Sequence, residues 1–227
     1  MENVNQGLLV VNFFKGDLIM KQFQVKKISL AVTLSFTASL VLAQSGPIKI
    51  GVVTPLSGTY TPIGEQVKMG LDLAAKEINA AGGINGRKIN LIYEDEEANP
   101  AVATQKAEKL FQVEKVDFLT GTVNSGSTLA VGQLAERNGK LIATTVSFAD
   151  SITGDKCSPN VFRVNARAGM QSAALAAWVE KEIPKANIFF IGPDYEMGRS
   201  TVSAFKKAST ETGAKDVGEV LSLIHIS

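Results

Sequence analysis

The stretch Ile48–Tyr93, IKIGVVTPLSGTYTPIGEQVKMGLDLAAKEINAAGGINGRKINLIY, holds one full strand–helix–strand unit and decides the fold class. Ile48–Thr54 is a short apolar run rich in β-branched residues, the pattern of a strand buried on both faces. Thr61-Pro62 can open a helix, because proline in the first turn gives up only an amide that has no helical partner there. Val67, Leu71, Ala74, Ala75 and Ile78 then recur at helical spacing. Ala81-Gly82-Gly83 offers glycine for a left-handed helix end, Ile84-Asn85-Gly86-Arg87 reads as a turn, and Lys88–Tyr93 as the next strand.

The same cycle continues downstream. Asn99-Pro100 starts a helix with Ala103, Ala107, Leu110 and Phe111 on one face. Val116–Gly121 predicts a strand, Ser125–Asn138 a helix with Ala130, Val131 and Leu134 inward, and Leu141–Ala143 a fourth strand. Buried strands alternating with helices predict an α/β fold, a doubly wound parallel sheet covered on both faces. After Ala143 the rhythm breaks in a loop holding Gly154, Cys157 and Pro159, followed by the run Val161–Val164. A second series then begins. Met170, Ala173, Ala174, Ala177 and Trp178 predict an inward helical stripe, Ile188–Gly192 a strand, and Gly198–Thr212 a helix that Gly213 can end. This second unit is too short to close a sheet of its own, and a crossing between units is expected near Asn165–Gly169.

Composition narrows the function classes. Of 227 residues, 45% are hydrophobic and 20% charged, which is globular composition. The formal net charge of +1 gives no basic excess for nucleic acid. A single cysteine, Cys157, and a single histidine, His225, exclude a multi-cysteine metal site or a disulfide framework within the chain. No metal or cofactor is expected, and no catalytic residues.

Both ends carry their own signals. Residues 20–43 read as a cleavable secretory leader: Met20 is followed by Lys21, Lys26 and Lys27, then by the uncharged run Ile28–Leu42, with Val41-Leu42-Ala43 before a cut at Gln44. No cysteine follows the cut, so a soluble periplasmic protein is expected rather than a lipoprotein. Residues 1–19 fit no leader scheme and are expected to be an upstream extension, with translation starting at Met20. Residues 221–227, LSLIHIS, can be written in codons matching a transposase-derived adapter, and are expected to be foreign to the protein.

Among the motifs, Thr120–Thr128 (TGTVNSGST) is the most informative, running from a strand's C-terminal end into a helix. Ligands of open α/β sheets bind at that edge, and the free amides of a helix start suit a carboxylate or carbonyl oxygen. Simple capping by Ser125 or Ser127 is the alternative. The segment is no nucleotide loop, since Ser127 stands where lysine is required. Gly82–Gly86 lacks dinucleotide-binding spacing. Glu94–Glu97 is expected to be a solvated strand end. Tyr195 follows a strand at the second unit's edge, where its ring can close over a ligand or stand in a loop.

In combination, Lys49–Pro100, TGTVNSGST, Ala143–Gly154 (ATTVSFADSITG), Asn160–Arg167 (NVFRVNAR) and Ile191–Ser200 (IGPDYEMGRS) resemble the leucine/isoleucine/valine-binding family of ABC-importer solute-binding proteins. The resemblance runs from about Pro47 to Val220. It implies the type I periplasmic-binding-protein fold, with lobe 1 at residues 44–165 and a partial lobe 2 at 166–220, hinged and closing on a small solute. By resemblance, Ser125 and Ser127 meet the solute's carboxylate or carbonyl, Val146 offers a backbone group and Tyr195 closes from the second lobe. Ile63 falls where many members place a pocket aromatic, with Tyr60 nearby as a substitute. Phe148 replaces the Thr or Ser that helps hold an ammonium, which favours a less polar or aromatic solute. Some members carry a first-lobe disulfide; Ala98 and Asn124 occupy those positions, so the bridge is absent. The family's acidic partner of the amino group lies beyond Ser227, and the chain by itself is expected to bind weakly.

The resulting expectation is the extracytoplasmic binding component of an ABC importer, capturing a hydrophobic amino acid, amide, urea or aromatic acid for an inner-membrane permease and its ATPase. It is expected to be monomeric and to have no enzymatic activity. A periplasmic sensor of the same fold is the alternative. The reading requires Ser125 and Ser127 to face the gap between the lobes.

Overall fold

A computed structural model describes residues 46–222. The expected leader, the residues before it and Leu223–Ser227 lie outside the described residues. In chain order the elements are β1 (Ile48–Thr54), α1 (Thr61–Ala80), β2 (Ile89–Asp95), α2 (Pro100–Gln112), β3 (Phe118–Gly121), α3 (Ser125–Arg137), β4 (Ile142–Thr144) and β5 (Val161–Arg163). They continue with α4 (Ala168–Glu182), β6 (Asn187–Pro193), α5 (Glu196–Glu211) and β7 (Lys215–Ser222). Leu221 and Ser222 complete β7, paired with Gly192 and Pro193.

The first five strands form one parallel sheet in the order β2-β1-β3-β4-β5. The step from β1 to β2 runs one way across this sheet, and the later steps run the other way. Right-handed crossovers therefore put α1 on one face and α2 and α3 on the other. The α2–α3 face closes a core of Val53, Leu110, Phe111, Val116, Leu119, Val131, Leu134 and Ile142, all buried. Removing a side chain such as Leu119 from this core costs about 2–5 kcal/mol. The helix ends follow the glycine reading. Gly83 N–H bonds Ile78 C=O over 2.8 Å and Gly82 N–H bonds Asn79 C=O, with Gly82 at φ 107°.

The second sheet contains β6 and β7, also parallel, with α5 on one face. Phe190 packs edge-on against Phe205 of α5, ring centroids 5.8 Å apart. Two expectations need correction. The stripe predicted to face inward on α4 faces outward, with Met170 58% and Trp178 55% exposed. The helix instead buries Ala168, Ser172, Ala176 and Val179, because close packing beside α5 selects the small residues. The strand end Glu94–Glu97 is not solvated throughout, since Glu94 and Glu96 are buried. Burial pushes the Glu94 carboxyl up, but the Lys109 and Lys106 ammonium groups outweigh it and hold it below the usual carboxylate range.

Candidate functional site

The reversal of crossover direction leaves a crevice between the connections that leave the C-terminal ends of β1 and β3. This is the place where open α/β sheets bind ligands. A cavity of about 660 Å³ lies there, within the range of small-molecule sites. The turn after β1 (Ser57–Tyr60), Glu97 and Ala98 after β2, and Asn124 after β3 form one wall. The other wall comes from the second sheet: Ile191–Asp194, Tyr195 and Ser222.

Two matching corners shape these walls. In the first, β1 ends at Thr54, Pro55 follows, and Gly64 in the first turn of α1 lies so close to the Pro55 carbonyl that a Cβ would stand 1.7 Å from its oxygen. In the second, β6 ends at Pro193, and a Cβ on Gly198 would stand 1.9 Å from the Pro193 oxygen. Only glycine permits each helix to start against the strand end. The corners carry Tyr60 and Tyr195, both half-buried. Their hydroxyls meet, Tyr60 donating to Tyr195 over 3.3 Å. Burial first, and then the bond with Tyr60, raise the Tyr195 phenol above its ordinary value.

The start of α3 departs from expectation. Ser125 and Ser127 are both 0% exposed and do not line the cavity. The Ser125 hydroxyl accepts from the Ala149 amide over 3.2 Å. The amides on either side of Ser125 are occupied by the protein's own groups. Asn124 Oδ1 accepts from Gly126 and Ser127 over 2.8 and 3.2 Å, and Glu96 Oε1 accepts from Val123 and Asn124 over 2.7 and 3.4 Å. The two serines are therefore packing groups in this structure, not exposed solute contacts. The segment leading into the short 3-10 helix Asp150–Thr153 packs here, with buried Ala149 against Ser125. Asn124 Nδ2 also donates to Ala98 C=O over 3.1 Å, so a hydrogen bond joins the two positions discussed above for a disulfide.

Beneath this end lies a buried hydroxyl cluster. Thr122 adopts φ 59°, unusual for a β-branched residue and worth about 1–3 kcal/mol of strain. It is held by Thr128 Oγ1 donating to its hydroxyl over 2.9 Å, and by Thr144 and Ser147 hydroxyls donating to its carbonyl over 3.2 and 3.1 Å.

Of the other expected site residues, Val146, Phe148 and Ile63 are half-buried and do not line the cavity. Phe148 contributes its carbonyl to the Ala168 amide over 2.8 Å. A second set of contacts joins the Asp150–Lys156 loop to α5. Glu196 accepts from the Ser151 hydroxyl over 2.6 Å and pairs with Lys156 at 3.1 Å, while Ser200 Oγ accepts from the Asp150 amide over 2.8 Å. Sequence reasoning did not single out Ser57, Thr59, Glu97 or Asp194 for the cavity. Their positions in the turns just past the strand ends at Thr54, Asp95 and Pro193 were the signal available.

Residues 47–222 match the profile of a family described as periplasmic binding protein. A Leu/Ile/Val-binding protein homolog of Brucella melitensis is 30% identical over 193 residues, 85% of this chain and 51% of that protein. A Rhodopseudomonas palustris ABC-transporter solute-binding protein solved with benzoate aligns at TM-score 0.72 and 33% identity, over 79% of this chain and 49% of that one. A branched-chain amino-acid transporter protein from the same species aligns at TM-score 0.63 and 27% identity, over 77% and 47%. The chain thus spans about half the length of the relatives it matches.

Proposed function

The chain belongs to the periplasmic binding protein family, and we propose from this premise that it forms part of a solute-binding component of an ABC importer. In this reading the protein captures a small apolar or aromatic solute in the crevice between its two sheets and delivers it to a membrane permease and its ATPase. Hydrophobic amino acids and aromatic acids are the first candidates, because relatives are named for the former and one is solved with benzoate. The protein acts in the periplasm, exported by a leader within residues 20–43, works as a monomer and performs no covalent chemistry.

With Ser125 and Ser127 buried, the requirement that they face the gap is not met, and the reading rests instead on the cavity beside the C-terminal ends of β1 and β3, walled by both sheets and bridged by Tyr60 and Tyr195. The two phenol rings offer flat apolar faces, and their hydroxyls, with Ser57, Thr59 and Asn124, offer polar groups to orient a solute. The boundary between lobes near residue 165 fits the passage from β5, in the first sheet, to α4, which packs beside α5.

A thermal-shift screen of the intact protein against amino acids, amides, urea and aromatic acids tests the proposal. A specific solute at a hundred times its Kd stabilises by about 2.7 kcal/mol. If no compound in these classes raises Tm, the assignment of solute class fails.

A further inference from the structure

We propose that Glu96 is the positioning residue of the cavity, fixing the Val123–Asn124 corner against the ends of β1 and β2. The inference rests on the cavity described above but not on which solute fills it.

Glu96 is the last acidic residue before the exposed Glu97, and its side chain is fully buried. Its backbone ties it to the sheet rim: the Glu96 amide donates to Thr54 C=O over 3.2 Å, and Asn99 donates back to the Glu96 carbonyl over 2.8 Å. From there the side chain reaches to the loop after β3, where Oε1 receives the Val123 and Asn124 amides. One residue, through its backbone amide and its carboxyl group, therefore connects the ends of β1, β2 and β3, the three strands around the crevice. Both neighbours in this arrangement line the cavity, Glu97 next in the chain and Asn124 across the hydrogen bond.

Glu96 Oε2 and Ser127 Oγ are both buried without a hydrogen-bond partner. A hydrogen bond between this pair would satisfy two orphan atoms together. The charged group acting on Glu96 is Asp95, whose own carboxylate binds the Leu56 amide over 2.8 Å and the Glu97 amide over 2.9 Å. Burial favours the neutral carboxyl, opposed by the Val123, Ser127 and Asn124 donors. Either form accepts the two amides through Oε1.

Amide hydrogen exchange on the full chain, corrected for intrinsic rates, tests this without any solute. In Glu96→Ala, exchange at Val123 and Asn124 is expected to rise at least ten-fold, while core amides at Ala103–Phe111 change little. Glu96→Gln keeps an acceptor for the two amides and a donor for Ser127, and is expected to retain the protection. Should Glu96→Ala fail to fold, Glu96→Asp, one methylene shorter, is expected to lift protection at the same two amides. Unchanged protection in Ala or Asp, or loss of protection in Gln equal to that in Ala, overturns the proposal. Parallel titrations of the intact protein with benzoate and L-leucine separate the two readings: no binding by wild type counts against the solute assignment, whereas the exchange results judge Glu96 alone.

Discussion

Tyr60 donates a hydrogen bond to the hydroxyl of Tyr195 over 3.3 Å, joining the turn after β1 to the start of α5 across the cavity. The residues are far apart in sequence and belong to different sheets. Their meeting follows from the two corners, each a strand end with proline, then tyrosine, then a glycine that lets the helix begin against the strand.

Removing either hydroxyl should weaken solute capture while leaving the fold intact. A neutral hydrogen bond contributes about 0.5–1.5 kcal/mol net. Tyr195→Phe and Tyr60→Phe should each lower the stability of the solute-free protein by up to about 1.5 kcal/mol, and should lower solute affinity in calorimetry by up to about ten-fold. The double variant should lose no more than either single one if the bond itself is what matters.

The corner glycine should be sensitive and a neighbouring helix glycine should not. Gly198→Ala places a methyl group against the Pro193 carbonyl and should cost at least about 1–3 kcal/mol in chemical denaturation. Gly70, in the middle of α1, is exposed with open space around it, and Gly70→Ala should stabilise by about 0.4–1 kcal/mol.

Asn124 should matter more than its surface-loop position suggests. Its side chain caps α3 and holds Ala98 C=O. Asn124→Ala should cost about 1–2 kcal/mol. Asn124→Ser, which can still cap but cannot reach Ala98 as an amide does, should fall between the two in urea titrations.

Two glutamates should respond to pH with opposite signs. The Ser151 hydroxyl, opposed by burial and aided by Lys156 and Arg199, holds Glu196 below the ordinary range. Its stabilising contribution is present above about pH 4.3 and is lost as pH falls through the depressed value. The Tm gap between wild type and Glu196→Gln should therefore close on acidification. Burial moves Glu96 the other way. Its contribution is present at acid pH and declines as pH rises through the raised value, so Glu96→Gln should gain on wild type between about pH 4.3 and neutrality.

Strand and helix order was legible in the sequence because periodicity encodes it: β-branched runs mark buried strands, and the Val67–Ile78 spacing marks a helix. The turn Ile84–Arg87 is equally local. Asn85 and Gly86 both adopt positive φ, and Ile84 and Arg87 exchange hydrogen bonds. The site was legible only as a region. TGTVNSGST was correctly placed at a strand end, but Ser125 and Ser127 were read as exposed donors. The competing capping reading was closer, although Asn124, not a serine, performs it.

What the sequence determined by itself was the α/β class, the order of the elements and the family resemblance, since each depends on neighbours along the chain. Only the tertiary structure decided which side chains face the crevice. Burial depends on what stands opposite: Ala149 meets Ser125 at the start of α3, small residues of α4 turn toward α5 in place of the larger ones, and Glu96 reaches amides in the loop after β3, beyond a whole helix and strand. A local pattern says which residues share a face, and the packing of distant elements settles whether that face meets protein or solute.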